Sequence, residues 1–321
     1  KEGVTVDYDK TVEQLYTYVT EKWNKKANIK LTATTTVSKP KYTTEDCEKV
    51  SNEPMGSYTT EFSVGSSYAN RNLNIQNGAK LINGAVVYPG EQYSCNENLY
   101  PWTEDNGWHP AGTYVDGGVQ DSLGGGICQV SSTLYNALLR AEIKVVKRFP
   151  HSMAVGYVPL SADAALAGDY KDLVFENDTD APIYVQGIYN SGGSITFNIY
   201  GHDTRKAGHS VKYESKTVKT TPVKTQTKKD SSKPVGYSEV ESSGHVGYVA
   251  ELWKITYENG KQVSKELIHT STYAMSPTIV VKGTKKASTT IKKDDSDKDD
   301  KKSSEEKTKK STSSKKSKKS E

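Results

Sequence analysis

A chain of 321 residues exceeds the usual size of one domain, so two folded units with non-globular stretches beside them are expected. Hydrophobic residues make up only 34% of it and the mean hydropathy is -0.72, too polar for a single compact globule. The net charge of +4 is modest and its lysines crowd into residues 216–233 and 285–321, which argues against a nucleic-acid partner, and no run of 18 or more apolar residues marks a membrane span.

In chain order, Val12, Leu15, Tyr16 and Val19 recur at helical spacing and predict an amphipathic helix over residues 9–23. Strands follow at ATTTVS and YTTEFSV, and the stretch NRNLNIQNGAKLINGAVVYPGEQYS reads as a helix, a strand and a Pro89-Gly90 turn. After the glycine-rich DGGVQDSLGGG, apolar positions Val130, Leu134, Ala137, Leu138 and Ala141 place a helix over Cys128–Arg140. Further strands are expected at Lys144–Arg148, Val155–Val158, Leu173–Glu176, Ile183–Ile188 and Ser194–Tyr200. Residues 203–236 read as linker, strand or both, and residues 237–284 as short strands between Gly and Asn turns. From Lys285 to Glu321 the chain is nearly all Lys, Asp, Glu, Ser and Thr, a composition that cannot offset its own ordering entropy. The expected class is α+β, with a helix packed on an antiparallel sheet, then an extended all-β module and a disordered tail.

Chemistry concentrates at Cys128, which follows Gly124, Gly125 and Gly126 and stands where the helix begins. A helix start carries partial positive charge and free amides, which favour a thiolate and can hold an oxyanion. His151 lies 23 residues downstream, a candidate general base, with Asp163 or Asp172 as candidates to orient its ring and His109 held in reserve. On residues alone two readings stay open: a reactive thiol, or a small residue packing helix against sheet beside a structural histidine. The glycines lack the Lys-Ser/Thr continuation of a phosphate loop, so no nucleotide cofactor is expected. No CxxC or HExxH spacing occurs, so no metal is expected either. With three cysteines, a Cys47–Cys95 bridge would leave Cys128 as the free thiol.

The stretch GGGICQVSSTLYNALLRAEIKVVKRFPHSMAVGYVP, continued by SADAALAGDYKDLVFENDTDAPIYVQG, resembles the VanW family. GHVGYVAELWKITYENGKQVSKELIHTSTYAMSPTIVVKGT is similar to a G-five module, and the N-terminal segment resembles the tail of a peptidoglycan-binding-type domain. The expected division is residues 1–64 for that partial domain, 65–207 for the VanW-like domain, 208–284 for the G-five module and 285–321 for the tail. The resemblance implies a cysteine L,D-transpeptidase that acts on peptidoglycan stem peptides with Cys128, His151 and Asp163 or Asp172. It also implies an oxyanion and substrate site drawn from Gly125, Gly126, Ile127, Gln129, Ser131, Ser132 and Tyr157. Wall glycans or anionic wall polymers are the expected partners of the G-five module and basic tail. The alternative it leaves is a non-catalytic wall-binding or adhesion protein. The location implied is extracellular, in the wall or anchored to the membrane by a segment upstream of Lys1.

Overall fold

The computed structural model describes residues 2–25, 30–115 and 118–286, with 114, 115, 118 and 119 described by their backbone alone. The predicted disordered tail therefore lies outside the described residues, apart from its first two. The elements in order are β1 (Gly3–Val6), α1 (Tyr8–Thr17), β2 (Thr35–Ser38), α2 (Thr44–Glu48), β3 (Gly56–Glu61), α3 (Ala69–Ile82), β4 (Ala85–Val87), β5 (Gln92–Ser94), α4 (Cys95–Leu99), β6 (Pro110–Val115) and β7 (Gly118–Leu123). They continue with α5 (Ile127–Ala141), β8 (Lys144–Lys147), β9 (Val174–Glu176), β10 (Ile183–Asn190), β11 (Ser194–Tyr200), β12 (His209–Thr221), β13 (Thr225–Pro234), β14 (Ser238–Ser242), β15 (Gly247–Glu258), β16 (Lys261–Tyr273) and β17 (Thr278–Lys285). The molecule is α+β, as the sequence pattern predicts.

The main core lies between helices α3 and α5 and a four-stranded antiparallel sheet ordered β3-β11-β10-β4. Alternation builds it: Ile195, Phe197 and Ile199 of β11, with Ile183 and Val185 of β10, all point inward and are fully buried. The C-terminal turn of α5 lies directly on β3, because a Cβ at Gly56 would collide with the Ala141 amide nitrogen. The hairpin β6–β7 leads into α5, with Gly125 packed on Ala111 of β6, and a three-stranded sheet ordered β5-β9-β8 takes its β8 strand from the segment just after the helix.

The all-β module consists of two three-stranded sheets, β12-β15-β16 and β13-β17-β14, in which β13 and β17 pair in parallel. Residues 203–236, open between linker and strand in sequence, are largely the long strands β12 and β13. Two expectations need correction. The Val155–Val158 segment forms no strand: Val155, Gly156 and Tyr157 wrap a pocket wall and Val158 is buried, so its apolar character reports burial rather than ladder pairing. The predicted first helix forms over α1 and a π-helical turn at Tyr18–Lys22, but its apolar stripe of Val12, Leu15, Tyr16 and Val19 is exposed instead of packed.

Candidate active site

Helix α5 starts under steric constraint. Gly126 is its N-cap at φ 107, and a Cβ there would approach the Arg71 carbonyl oxygen to 3.1 Å. Only glycine accepts that conformation and that proximity without strain. Cys128 thus occupies the second helical position. The amides of Ile127 and Gln129 are taken by the carbonyls of Gly124 and Gly126. Among the described residues no acceptor takes the Cys128 amide, which leaves it available, at the positive end of the helix, for a bound oxyanion.

His151 sits in the loop after β8, 10% exposed, and its Nδ1 lies 2.6 Å from Asp163 Oδ2. The same carboxylate oxygen accepts the His151 backbone N–H at 2.7 Å, so one residue fixes both the ring and its backbone. The other ring nitrogen lies 3.4 Å from the Tyr157 hydroxyl, and the ring stands close enough to the Cys128 thiol for each to shift the other's pKa. Cys128 Sγ lies 3.4 Å from both the amide and the carbonyl of Leu166. Arg148 closes the array from behind: its Nη2 donates to Asp163 Oδ1 at 2.7 Å and its Nε to the Asp163 carbonyl at 2.5 Å.

The electrostatics follow from this geometry. Burial pushes the Cys128 thiol up, but its bond to His151 and the imidazole charge outweigh burial, and the net shift is downward. Burial lowers His151 in turn, yet Asp163 and Cys128 raise it further, to about 9. Asp163 would be raised by burial, but the His151 hydrogen bond and the Arg148 charge hold it well below the usual carboxylate range. These shifts run in the direction that favours a thiolate beside an imidazolium, with a buried aspartate held ionised behind them.

Of the two candidate orienters, Asp163 makes the contact and Asp172 does not. Asp172 accepts from the Ser94 hydroxyl at 2.6 Å and the Asn96 amide at 3.0 Å, which ties α4 to its own loop. Ser131 and Ser132 also face away from the pocket. Ser131 Oγ donates to the Ala164 carbonyl at 2.7 Å, while Ser132 Oγ accepts the Ala164 amide at 2.9 Å. With Asn136, which donates to the Ala162 carbonyl at 2.7 Å, they staple to α5 the strip that presents Asp163 and Leu166. Gly125 packs against Ala111 of β6, where a Cβ would meet a carbonyl at 2.5 Å. Gln129 is buried, its side-chain amide donating to Thr60 and Glu61 of β3 and its oxygen accepting from Arg71 at 2.6 Å. His109 lines a different groove, beside α3 and β10, and all three thiols are free, so Cys47 and Cys95 are unbridged.

Cys128 and His151 open on a cavity of about 850 Å³ that Gly126, Ile127, Gln129 and Tyr157 also line. Arg71, Trp102 and Lys171 are among its other lining residues, none of them marked by a sequence motif. The Trp102 indole N–H is buried with no partner among the described residues, a donor ready for a ligand acceptor. Among the described residues no group of three or more His, Cys, Asp or Glu gathers where a metal could sit. No helix among them is long and apolar enough to cross a membrane.

Fold and site together define a thiol-bearing α+β domain with a Cys–His–Asp array at a helix start, continued by an extended β module. Residues 70–200 match the family model described as VanW like protein, and residues 212–285 match the G5 domain; the chain contains both a VanW-like and a G5 domain. It is 37% identical over 164 residues to the uncharacterized protein YoaR of Bacillus subtilis (strain 168), covering 51% of this chain and 53% of that one. It is 28% identical over 116 residues to the vancomycin B-type resistance protein VanW of Enterococcus faecalis (strain ATCC 700802 / V583), covering 35% and 42%. The chain thus spans about half the length of these curated relatives. Among solved structures, an IgA1 protease G5 domain matches at 30% identity over 26% of this chain and 96% of its own, with a TM-score of 0.19. The G5 structure of HP0197 matches at 23% identity over 23% and 97%, with a TM-score of 0.16.

Proposed function

We propose that this chain is a cell-wall-associated cysteine acyltransferase, an L,D-transpeptidase that cross-links peptidoglycan stem peptides. The observation that carries the reading is the Cys128–His151–Asp163 array opening on a pocket with an unspent helix-start amide. The Cys128 thiolate attacks the carbonyl of the third stem residue and the oxyanion is held by the Cys128 amide. The C–N bond to the terminal D-Ala breaks as the His151 imidazolium gives its proton to the leaving amine, and a thioester remains. An amine from a neighbouring stem then attacks the thioester, passes its proton through His151, and leaves the thiolate restored. Arg71 and Lys171 at the pocket suit a substrate that carries carboxylates. The relative named for vancomycin resistance agrees with a role at the wall, and the G5 domain supplies a surface for wall polymers.

One observation favours a second reading, a wall-binding protein without catalysis: both polar contacts of Sγ to Leu166 are also what a structural thiol would make. Mass spectrometry of disaccharide-tetrapeptides incubated with the chain and with Cys128→Ala separates the two. Dimers with loss of D-Ala from the parent alone support transpeptidation. Shortened monomers without dimers mean that water resolves the thioester, and no Cys128-dependent product leaves the binder.

A further inference from the structure

Strand β16 of the G5 domain alternates exposed and buried residues at its C-terminal end, so that His269, Ser271 and Tyr273 share one face. That face meets the array described above. The Tyr273 hydroxyl donates to Asp163 Oδ1 at 2.5 Å and accepts the Ser161 amide at 2.6 Å. Ser271 Oγ accepts from Arg148 Nη1 at 2.9 Å and bonds Ser161 Oγ at 2.8 Å. His269 bridges Tyr135 and Ser161 at 2.8 and 3.0 Å. Just past the strand, the Ala274 amide donates to the carbonyl of Ser152, the neighbour of His151, at 2.7 Å.

Asp163 and Arg148 are buried, so protein groups rather than bulk solvent hold their rotamers. Each shares one bond with a residue 110 or more positions away in the next domain. We infer that Tyr273, supported by Ser271, is a positioning residue of the candidate active site: the docked G5 domain fixes the Asp163 carboxylate that in turn orients His151 against Cys128. The module is therefore part of the site's architecture as well as a tether. This inference rests on the catalytic reading of Cys128.

The charged and titratable groups that face the array are Cys128 and Tyr135 on α5, Arg148 and Tyr157 on the loops, Arg71 on α3, and His269 and Tyr273 on β16. When the Tyr273 hydroxyl is lost, Asp163 keeps Arg148 but is free to turn Oδ2 away from His151. The imidazolium then loses its stabiliser and the thiolate its partner.

The test is the pH dependence of Cys128 alkylation by iodoacetamide in the full chain, read peptide by peptide so that exposed Cys47 does not contribute. Parent, Tyr273→Phe, Ser271→Ala and Thr272→Ala are compared, the last altering the opposite, exposed face of the same strand. Tyr273→Phe keeps the ring and its packing. The expected result is a midpoint for thiolate formation raised by about one pH unit, hence alkylation about tenfold slower at pH values well below the parent's midpoint, with rates converging at alkaline pH. Ser271→Ala moves the midpoint the same way by less, and Thr272→Ala leaves it in place. An unmoved midpoint in Tyr273→Phe, or an equal shift in Thr272→Ala, overturns the inference while leaving the catalytic reading intact. A parent whose Cys128 titrates like an ordinary thiol, at about 8.5, overturns both.

Discussion

The two domains hold themselves together differently. The VanW-like domain has a layered core in which Ile75, Ile82, Leu134, Leu138, Phe197 and Ile199 are fully or almost fully buried. In the G5 domain the buried apolar residues are few: Ala250, Leu252, Ile255 and Tyr273, with Leu252 counted in the first domain's own core cluster. Its contacts with the first domain run through β15, where Leu252 joins that core, and through β16, whose His269, Ser271 and Tyr273 meet the residues behind the candidate catalytic array. The comparison teaches that rigidity at the site is shared across a domain boundary.

The largest expected effect comes from the group that both domains grip. Asp163→Asn leaves Arg148, 7% exposed, with its charge buried and unmatched, a loss of about 3–5 kcal/mol in unfolding free energy measured by denaturant titration. Whatever folds should lose the depressed Cys128 thiol, because the uncharged amide no longer supports the His151 imidazolium. If the Asp163→Asn variant unfolds like the parent, the boundary is not where the molecule stores its electrostatic strength. Next in size, Leu252→Ala should cost about 2–5 kcal/mol, the range for a fully buried large-to-small change. A loss well below that range would mean that the G5 domain merely rests on its neighbour.

The pH profile sharpens the comparison from the chemical side. Transfer activity should rise as the Cys128 thiol ionises, below the ordinary thiol value, and fall as the His151 imidazolium loses its proton near pH 9. An activity that climbs without an alkaline limb would show that no imidazolium is needed.

Much of this was legible in the sequence, for physical reasons. Helix α5 announced itself because its buried stripe recurs at helical spacing and its start is punctuated by glycines, and Cys128 and His151 stood out as a thiol and an imidazole near a helix start. The choice between Asp163 and Asp172 was not legible, since both are acidic, local and followed by apolar runs; only the fold turns one inward and ties the other to Ser94 and Asn96. Ser131 and Ser132 resembled oxyanion donors by adjacency, yet helical geometry points them at the Ala164 backbone. Arg148, Trp102 and Tyr273 carried no signal at all. Their roles depend on contacts such as Tyr273 to Asp163 across the domain boundary, and periodicity reports the face of a strand without naming what that face meets.

The smallest expected effects lie at the interface's two histidines, which pull stability in opposite pH directions. His269 is buried between Tyr135 and Ser161, and burial, then the Arg148 charge, lower it to about 4. Its folded value lies below its unfolded one of about 6.5, so the stability it permits is complete above that value and declines as pH falls toward 4. His209, at the other end, sits between Glu258 at 2.8 Å and Glu142 at 2.7 Å, and those bonds raise it. Its contribution is complete below about 6.5 and is lost as pH rises through its folded value. The docked state should therefore be most heat-stable near neutrality, with His269→Gln flattening the acid side of the melting curve against pH. Glu142→Gln should weaken the far end by about 1 kcal/mol or less, since Lys254 and His209 there keep solvent contact. It should also leave the Cys128 midpoint unchanged, because Glu142 touches none of the residues that hold Asp163. A midpoint that follows Glu142 would mean that the whole boundary, and not the Tyr273 end alone, sets the site.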